Sequence, residues 1–223
     1  MPQPSPALFR YRRTQLAALA FAILAFAVAP ARAEEFTLGP LYNPSGALYN
    51  PTNQAVIGNP NGKITLVEFF DYNCGYCKRA LNDLVRLLKD NPDLRVVLRD
   101  LPILAPSSVE AARIANAANN QLKGAKFWEF HQKLLSSRGL VGTAEALAVA
   151  KEFGVDMDRL AKDAAAPSVT AGIVESVGLA KKLQVTGTPS YVIGDDVVVG
   201  PVGYDALEAK VVNMRKCGNV VCS

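Results

Sequence analysis

Cys74 and Cys77 are separated by two residues, directly after an apolar stretch and directly before a helical one. Ile64 to Phe70 (Ile-Thr-Leu-Val-Glu-Phe-Phe) is β-branched, aromatic and nearly all apolar, as a strand buried on both faces should be. Lys78 to Lys89 then carries Leu81, Leu84, Val85 and Leu88 at helical spacing, and Asn91-Pro92 stops that helix. Leu94 to Leu98 reads as a second strand. Strand, helix and strand within about 35 residues make a βαβ unit with a parallel pair. The C-x-x-C motif therefore opens a helix at the end of a buried strand, which is where a reactive cysteine pair is expected.

The reason is electrostatic. A free cysteine, with pKa near 8.5, is mostly protonated at neutral pH, yet only the thiolate attacks a disulfide. A helix N-terminus offers unpaired N–H groups and about half a positive charge. Cys74 sits there and is expected to be the low-pKa attacking thiol. Cys77, one turn further in, is expected to be the buried resolving thiol, and Gly75 relaxes the tight turn between them. Glu68 is the one charge in the strand. If it is buried, its pKa rises, which suits accepting or relaying the Cys77 proton. The alternative is an edge strand that turns Glu68 to water.

Beyond the βαβ unit the chain turns helical. Ser107-Ser108-Val109-Glu110 reads as a capping box opening a helix to about Asn120. Lys126 to Ser136 is a second helix, Thr143 caps a third that Gly154 closes, Asp156 caps a short fourth, and Ser168 to Leu183 is a fifth. Strand signals return at Ser190–Ile193 and Val197–Val199 around Gly194-Asp195-Asp196, a hairpin. Tyr204 to Arg215 is a last helix. Since the second half completes a sheet begun by the first, the helical block reads as an insertion. Gly187-Thr188-Pro189 precedes the hairpin. A cis Thr188–Pro189 bond would turn the chain tightly beside the cysteine pair; an ordinary trans-proline in a turn is the alternative.

Residues 1–33 read as a cleavable secretory leader. Arg10, Arg12 and Arg13 precede an apolar run from Leu16 to Ala29, and Ala31-Arg32-Ala33 is a small-x-small cleavage site. A retained anchor is the competing reading, but those 14 residues fall short of the roughly 20 needed to span a bilayer. The leader holds four arginines and no acid, which is the whole excess of 24 Lys and Arg over 20 Asp and Glu. The mature chain is near neutral, so composition gives no support to nucleic-acid binding. Glu34 to Gly62, rich in Pro, Asn and Gly, reads as a lead-in arm with a short strand at Ala55–Ile57. Its Leu-Tyr-Asn-Pro occurs at residue 41 and again at residue 48, and the arm tyrosines Tyr42 and Tyr49 are expected in a solvated tail, with an arm that contacts another subunit as the alternative. All four cysteines follow the leader. In an oxidising compartment, Cys217 and Cys222 are expected to form a structural disulfide pinning the tail, with a regulatory or relay pair as the alternative. His131, the only histidine, lies in the second of the inserted helices at Phe127-Trp128-Glu129-Phe130-His131 and is expected to be structural or solvated. One histidine and a single C-x-x-C give no zinc site, and neither a metal nor a cofactor is expected.

Glu68-Phe69-Phe70-Asp71-Tyr72-Asn73-Cys74-Gly75-Tyr76-Cys77-Lys78, with Thr188-Pro189, resembles the DsbA-like thioredoxin-fold proteins of the bacterial periplasm. The similarity covers about residues 55–217. It implies an α/β thioredoxin fold, with residues 63–104 and 185–217 as the core, 105–184 as the inserted helical domain and 218–223 as the tail. It also implies an exposed Cys74, a cis-Pro189 loop that helps bind substrate peptides, and a groove that receives unfolded chains. Gly75, Tyr76, Thr188 and Pro189 are the substrate-binding candidates; Cys74, Cys77 and Glu68 are the catalytic ones. The DsbA oxidase has a histidine between its cysteines, where Tyr76 stands here. Cys-Gly-Tyr-Cys and the Thr188-Pro189 pair are similar to the DsbC-type isomerases, whose N-terminal dimerisation domain the 34–62 arm is too short to match. Without the histidine, the couple is expected between about −120 and −270 mV.

These observations leave a periplasmic dithiol oxidase acting on reduced or unfolded secreted proteins as the first reading. A disulfide isomerase or reductase, kept reduced by a membrane redox partner, is the alternative, and oligomeric state, which the sequence leaves open, separates the two. A Cu(I) carrier using both thiolates is the third.

Overall fold

The computed structural model describes Asn43 and residues 46–222. The expected leader at 1–33 and Tyr42 lie outside the described residues. The elements in chain order are β1 (Val56–Gly58), β2 (Ile64–Phe70), α1 (Gly75–Asp90), β3 (Leu94–Asp100), α2 (Pro106–Ala118), α3 (Ala125–Leu135), α4 (Thr143–Glu152), α5 (Met157–Ala165), α6 (Pro167–Lys182), β4 (Ser190–Ile193), β5 (Asp196–Val199) and α7 (Tyr204–Cys217). The sheet order is β1-β3-β2-β4-β5, with β2 and β3 parallel and the other pairs antiparallel. This is a thioredoxin-type sheet with five helices, α2 to α6, inserted between β3 and β4.

Strand alternation sends β2 and β3 residues to opposite faces. Leu66 and Phe70 of β2, with Leu94, Val96 and Leu98 of β3, join Cys77, Leu81 and Leu84 of α1 and the apolar faces of α2 to α5 in one core. Val67, Phe69, Val97, Leu101 and Val192 look the other way, onto Leu179 and Ala180 of α6, onto Leu183 just beyond it and onto Leu48 and Tyr49 of the arm. Glu68, in phase with Leu66 and Phe70, belongs to the α1 face; Arg95 and Arg99, in phase with Val97, belong to the arm face. β2 is central, paired with β3 on one side and β4 on the other, so an edge position that would turn Glu68 to water does not occur.

The arm is not a solvated tail. Leu48 and Tyr49 are buried, and the Tyr49 hydroxyl donates to Gly194 O at 2.6 Å. Two arginines account for this. Arg95 Nη1 donates to Tyr49 O at 2.7 Å. Arg99, wholly buried, donates to Leu48 O and Ala47 O and pairs with Glu175 Oε2 of α6 at 2.8 Å. The arm's own sequence carries no signal of this, because its partners come from a distant strand.

Two helix starts differ from the expectation. α2 begins at Pro106, with Ala105 as a cap that offers no side chain. Proline suits the first helical turn, where its missing N–H costs nothing. Ser107 and Ser108, expected in a capping box, instead accept hydrogen bonds from Asn73. α4 is capped by Gly142, whose N–H donates to Glu145 Oε2 at 2.9 Å, while the Thr143 hydroxyl donates to Glu110. Asp156 does cap α5, accepting from Arg159 N. At the far end, Cys217 and Cys222 form a disulfide. It encloses Val220, which packs with Met214 against Gly194, a turn residue at φ +58° where a side chain would press on Met214 Sδ. Glycine is suited to both the dihedral and the close approach.

Replacing Arg99 with alanine strips the arm of its main tether and leaves buried carbonyls unpaired. It should lower stability by about 3 kcal/mol, read as a shift of the urea midpoint at unchanged slope.

Candidate active site

The last turn before α1 is built by short polar side chains. Asp71 Oδ1 accepts from Asn73 N at 2.8 Å, and Asp71 O accepts from Cys74 N at 2.9 Å. This fold-back sets Cys74 as the N-cap of α1 in an extended conformation, with its sulfur accepting from Cys77 N at 3.3 Å. A sulfur here replaces the usual cap oxygen, and the amides of the first turn point at it. Across the cleft, the Thr188–Pro189 bond is cis, and Cys74 Sγ donates to Thr188 O at 3.1 Å. The structure thus brings Cys74, Cys77, Thr188 and Pro189 together. Both cysteines are free thiols.

Cys74 is only 3% exposed, against the expected exposed thiol. The Thr188 backbone lies over the sulfur and removes it from water. Its neighbour Tyr76 is 56% exposed, with the Arg79 guanidinium 4.4 Å above the ring.

The two thiols differ sharply in acidity. A hydrogen bond from the Cys77 side chain lowers the Cys74 pKa to about 5, overcoming burial, with further help from Thr188 and from the Cys77 and Tyr76 amides. The Thr188 groups act in opposite senses: its carbonyl accepts from the protonated thiol, whereas its side chain, whose buried hydroxyl has no hydrogen-bond partner in this geometry, favours the thiolate. Burial pushes the Cys77 thiol far up, its hydrogen bond to Cys74 and the nearby Glu68 charge adding to the effect. Glu68 is 2% exposed, and its Oε2 has no hydrogen-bond partner. Burial, then the Cys74 charge, raises it to about 8. The site holds one thiolate, one thiol and one protonated acid at neutral pH.

Other candidates separate from this cluster. His131 is buried, bonded through Nδ1 to the Tyr72 hydroxyl at 3.1 Å and stacked on Trp128. Burial lowers its pKa to about 3, so it is neutral and part of the packing, as are Phe127 and Phe130. Among the described residues, no group of three or more His, Cys, Asp and Glu could hold a metal ion. Reasoning from sequence missed Asp71 and Asn73, the Thr188 hydroxyl, and a second buried acid, Asp100. Burial raises Asp100 to about 7, and Asn116 Nδ2 donates to it at 2.8 Å. Asp and Asn flanking Tyr72 just before a helix were a turn signal that could have been read.

The profile of the DSBA-like thioredoxin domain matches residues 65–212, which contain both cysteines and the cis-proline. The chain belongs to the DsbA-like thioredoxin family of thiol–disulfide oxidoreductases. A thioredoxin-like oxidoreductase from Silicibacter pomeroyi DSS-3 is 43% identical, with a TM-score of 0.72 over 77% of this chain and 97% of that one. The thiol-disulfide exchange protein alpha-DsbA2 from Wolbachia pipientis is 30% identical, with a TM-score of 0.72 over 79% of this chain and 94% of that one. A curated relative named Na(+)/H(+) antiporter NhaA 1, from Salinispora arenicola (strain CNS-205), is 34% identical over 164 residues, 73% of this chain. The chain spans 25% of that relative's length. No helix among the described residues is long and apolar enough to cross a membrane. In this DsbA-like chain, Cys74, Cys77 and Pro189 all lie within the matched span.

Glu68→Gln keeps the shape and removes the titration. In the folded protein Glu68 holds its proton up to about pH 8, whereas in the unfolded chain it ionises near its ordinary value of 4.5. The folded state thus binds the extra proton between these limits, and wild-type stability erodes as pH rises through them. The stability gain of Glu68→Gln over wild type, both reduced, should grow from pH 5 to pH 8 and then level off in denaturant titrations.

Proposed function

We propose that this chain exchanges disulfides with secreted protein clients in the periplasm through the Cys74–Cys77 dithiol/disulfide. The observation that carries the proposal is the split between a thiolate at Cys74 and a protonated thiol at Cys77 within one helical turn. In the reducing direction, the Cys74 thiolate attacks one sulfur of a client disulfide. A mixed disulfide forms, and the leaving client thiolate takes up a proton. Glu68 supplies that proton, and its carboxylate then takes the proton of Cys77, which attacks Cys74 Sγ, releasing the second client thiolate and closing the Cys74–Cys77 disulfide. The client gains two electrons and the protein loses two. The same steps in reverse oxidise a dithiol client. A membrane redox partner resets the pair in either direction.

Substrate contact falls to Gly75 and Tyr76 on one side and to Thr188 and Pro189 on the other. Gly75 leaves the helix start clear of a side chain, and a Cβ there would meet Arg79 Nη1 at 3.7 Å. The Thr188 carbonyl, freed when the thiol is engaged, can accept from a client backbone N–H lying alongside. Cu(I) carriage is the weaker reading, because soft-metal binding needs two thiolates and burial keeps Cys77 protonated. The Cys217–Cys222 bridge is assigned a structural role, since it holds Val220 in the core.

Cys77→Ser should trap a client as a mixed disulfide on Cys74, detected on non-reducing gels, and Cys74→Ser should trap none. In a glutathione titration of the wild type, the potential should fall between about −120 and −270 mV; a value near the upper limit supports net oxidation of clients and one near the lower limit net reduction.

A further inference from the structure

Asn73 lies between the buried strand and Cys74 and takes no part in the exchange chemistry. Its side chain nevertheless joins separate pieces of the chain. Nδ2 donates to Val141 O at 2.9 Å, to Ser108 Oγ at 3.1 Å and, more weakly, to Ser107 Oγ at 3.4 Å, while Oδ1 accepts from Val141 N at 2.7 Å. One amide group therefore satisfies both backbone groups of Val141, which is fully buried, and the start of α2. The same 137–142 loop is held a second time from the catalytic helix, where Lys78 Nζ donates to Ser137 O at 2.6 Å and Gly139 O at 3.3 Å. Between these two ties stands Leu140, 64% exposed.

Asp71 does the equivalent work for a different loop. Its Oδ2 accepts from Ile103 N at 3.0 Å and Leu104 N at 3.1 Å, and both of those side chains are about half exposed. Large apolar side chains in water are thus carried on two loops fastened directly to the residues that lead into Cys74. Loops that only close the fold have no need to be tied to the residue beside a nucleophile or to present leucine at the tie. We infer that Asn73 is a positioning residue for client binding: it holds the Leu140 loop at a fixed place beside Cys74, where Leu140 meets an apolar side chain flanking the client's cysteine. Without the amide, Val141 loses both backbone partners and the loop gains freedom that binding must then remove. This inference rests on the exchange reading above.

The test compares wild type, Asn73→Ala and Leu140→Ser with two substrates: a peptide disulfide with leucine next to cysteine, and hydroxyethyl disulfide, which has no side chain for the loop to hold. Asn73→Ala should raise KM for the peptide about tenfold with kcat within about twofold, the pattern of lost binding shared by ground and transition states. The pH midpoint of Cys74 alkylation should not move. Leu140→Ser, an exposed change that leaves every hydrogen bond of Asn73 in place, should raise the peptide KM in the same way, and it carries the test if Asn73→Ala fails to fold. The inference is overturned if Asn73→Ala slows both substrates equally or shifts the alkylation midpoint, since Asn73 would then act on the thiol. It is also overturned if Leu140→Ser keeps the wild-type KM. A wild-type protein that exchanges with neither substrate refutes the exchange reading itself.

Discussion

The hydrogen bonds converging on Cys74 Sγ from the first turn of α1 are the interaction on which the rest of the site depends. The sulfur occupies a cap position, so the amides that a helix leaves unpaired at its start serve the thiolate. The Cys77 thiol donates to it as well, which links the two acidities: what stabilises charge on one sulfur holds the proton on the other. Reaction at Cys74 removes that acceptor. Cys77 then loses one of the causes that keep it protonated, and Glu68 loses the nearby charge that raises its own pKa. The order of events, attack first and resolution second, is built into which group charges which.

The sheet supplies the platform by simple alternation. One face of β2 and β3 carries the acids Glu68 and Asp100 toward α1 and the inserted helices, whereas the other carries Arg95 and Arg99 toward the arm. The two signs are separated by a single residue step along β3, yet they serve different ends. On the acid face, burial suppresses charge and leaves Glu68 protonated near the thiols. On the arginine face, charge is retained and satisfied by carbonyls of the arm and by Glu175. The arm is the closing wall of the second core, and the arginines give it a place that its own sequence does not specify.

Much of this could be read from the chain before its structure was seen. The buried strand, the helix opening at the cysteine pair, the five inserted helices and the hairpin after Pro189 all carry local signals of period, capping or turn chemistry. Glu68 could be singled out because a charge among apolar neighbours is expensive to bury. What could not be read depends on distant partners. Tyr49 is buried by a hydroxyl bond to a turn 145 residues away. Ser107 and Ser108 had the spacing of a capping box, but Pro106 started the helix first and left their hydroxyls to Asn73. Cys74 was expected in the open because reactivity needs access, whereas the Thr188 loop, far along the chain, covers it.

The exchange chemistry requires Cys74 to be ionised at neutral pH while Cys77 is not. That difference is tested most directly by following thiolate ultraviolet absorbance of the reduced protein against pH, with the disulfide form as the blank. A single thiolate should appear with a midpoint near pH 5, and no second one before the tyrosines titrate. A first midpoint at 8 or above, or two thiolates appearing together, would contradict it.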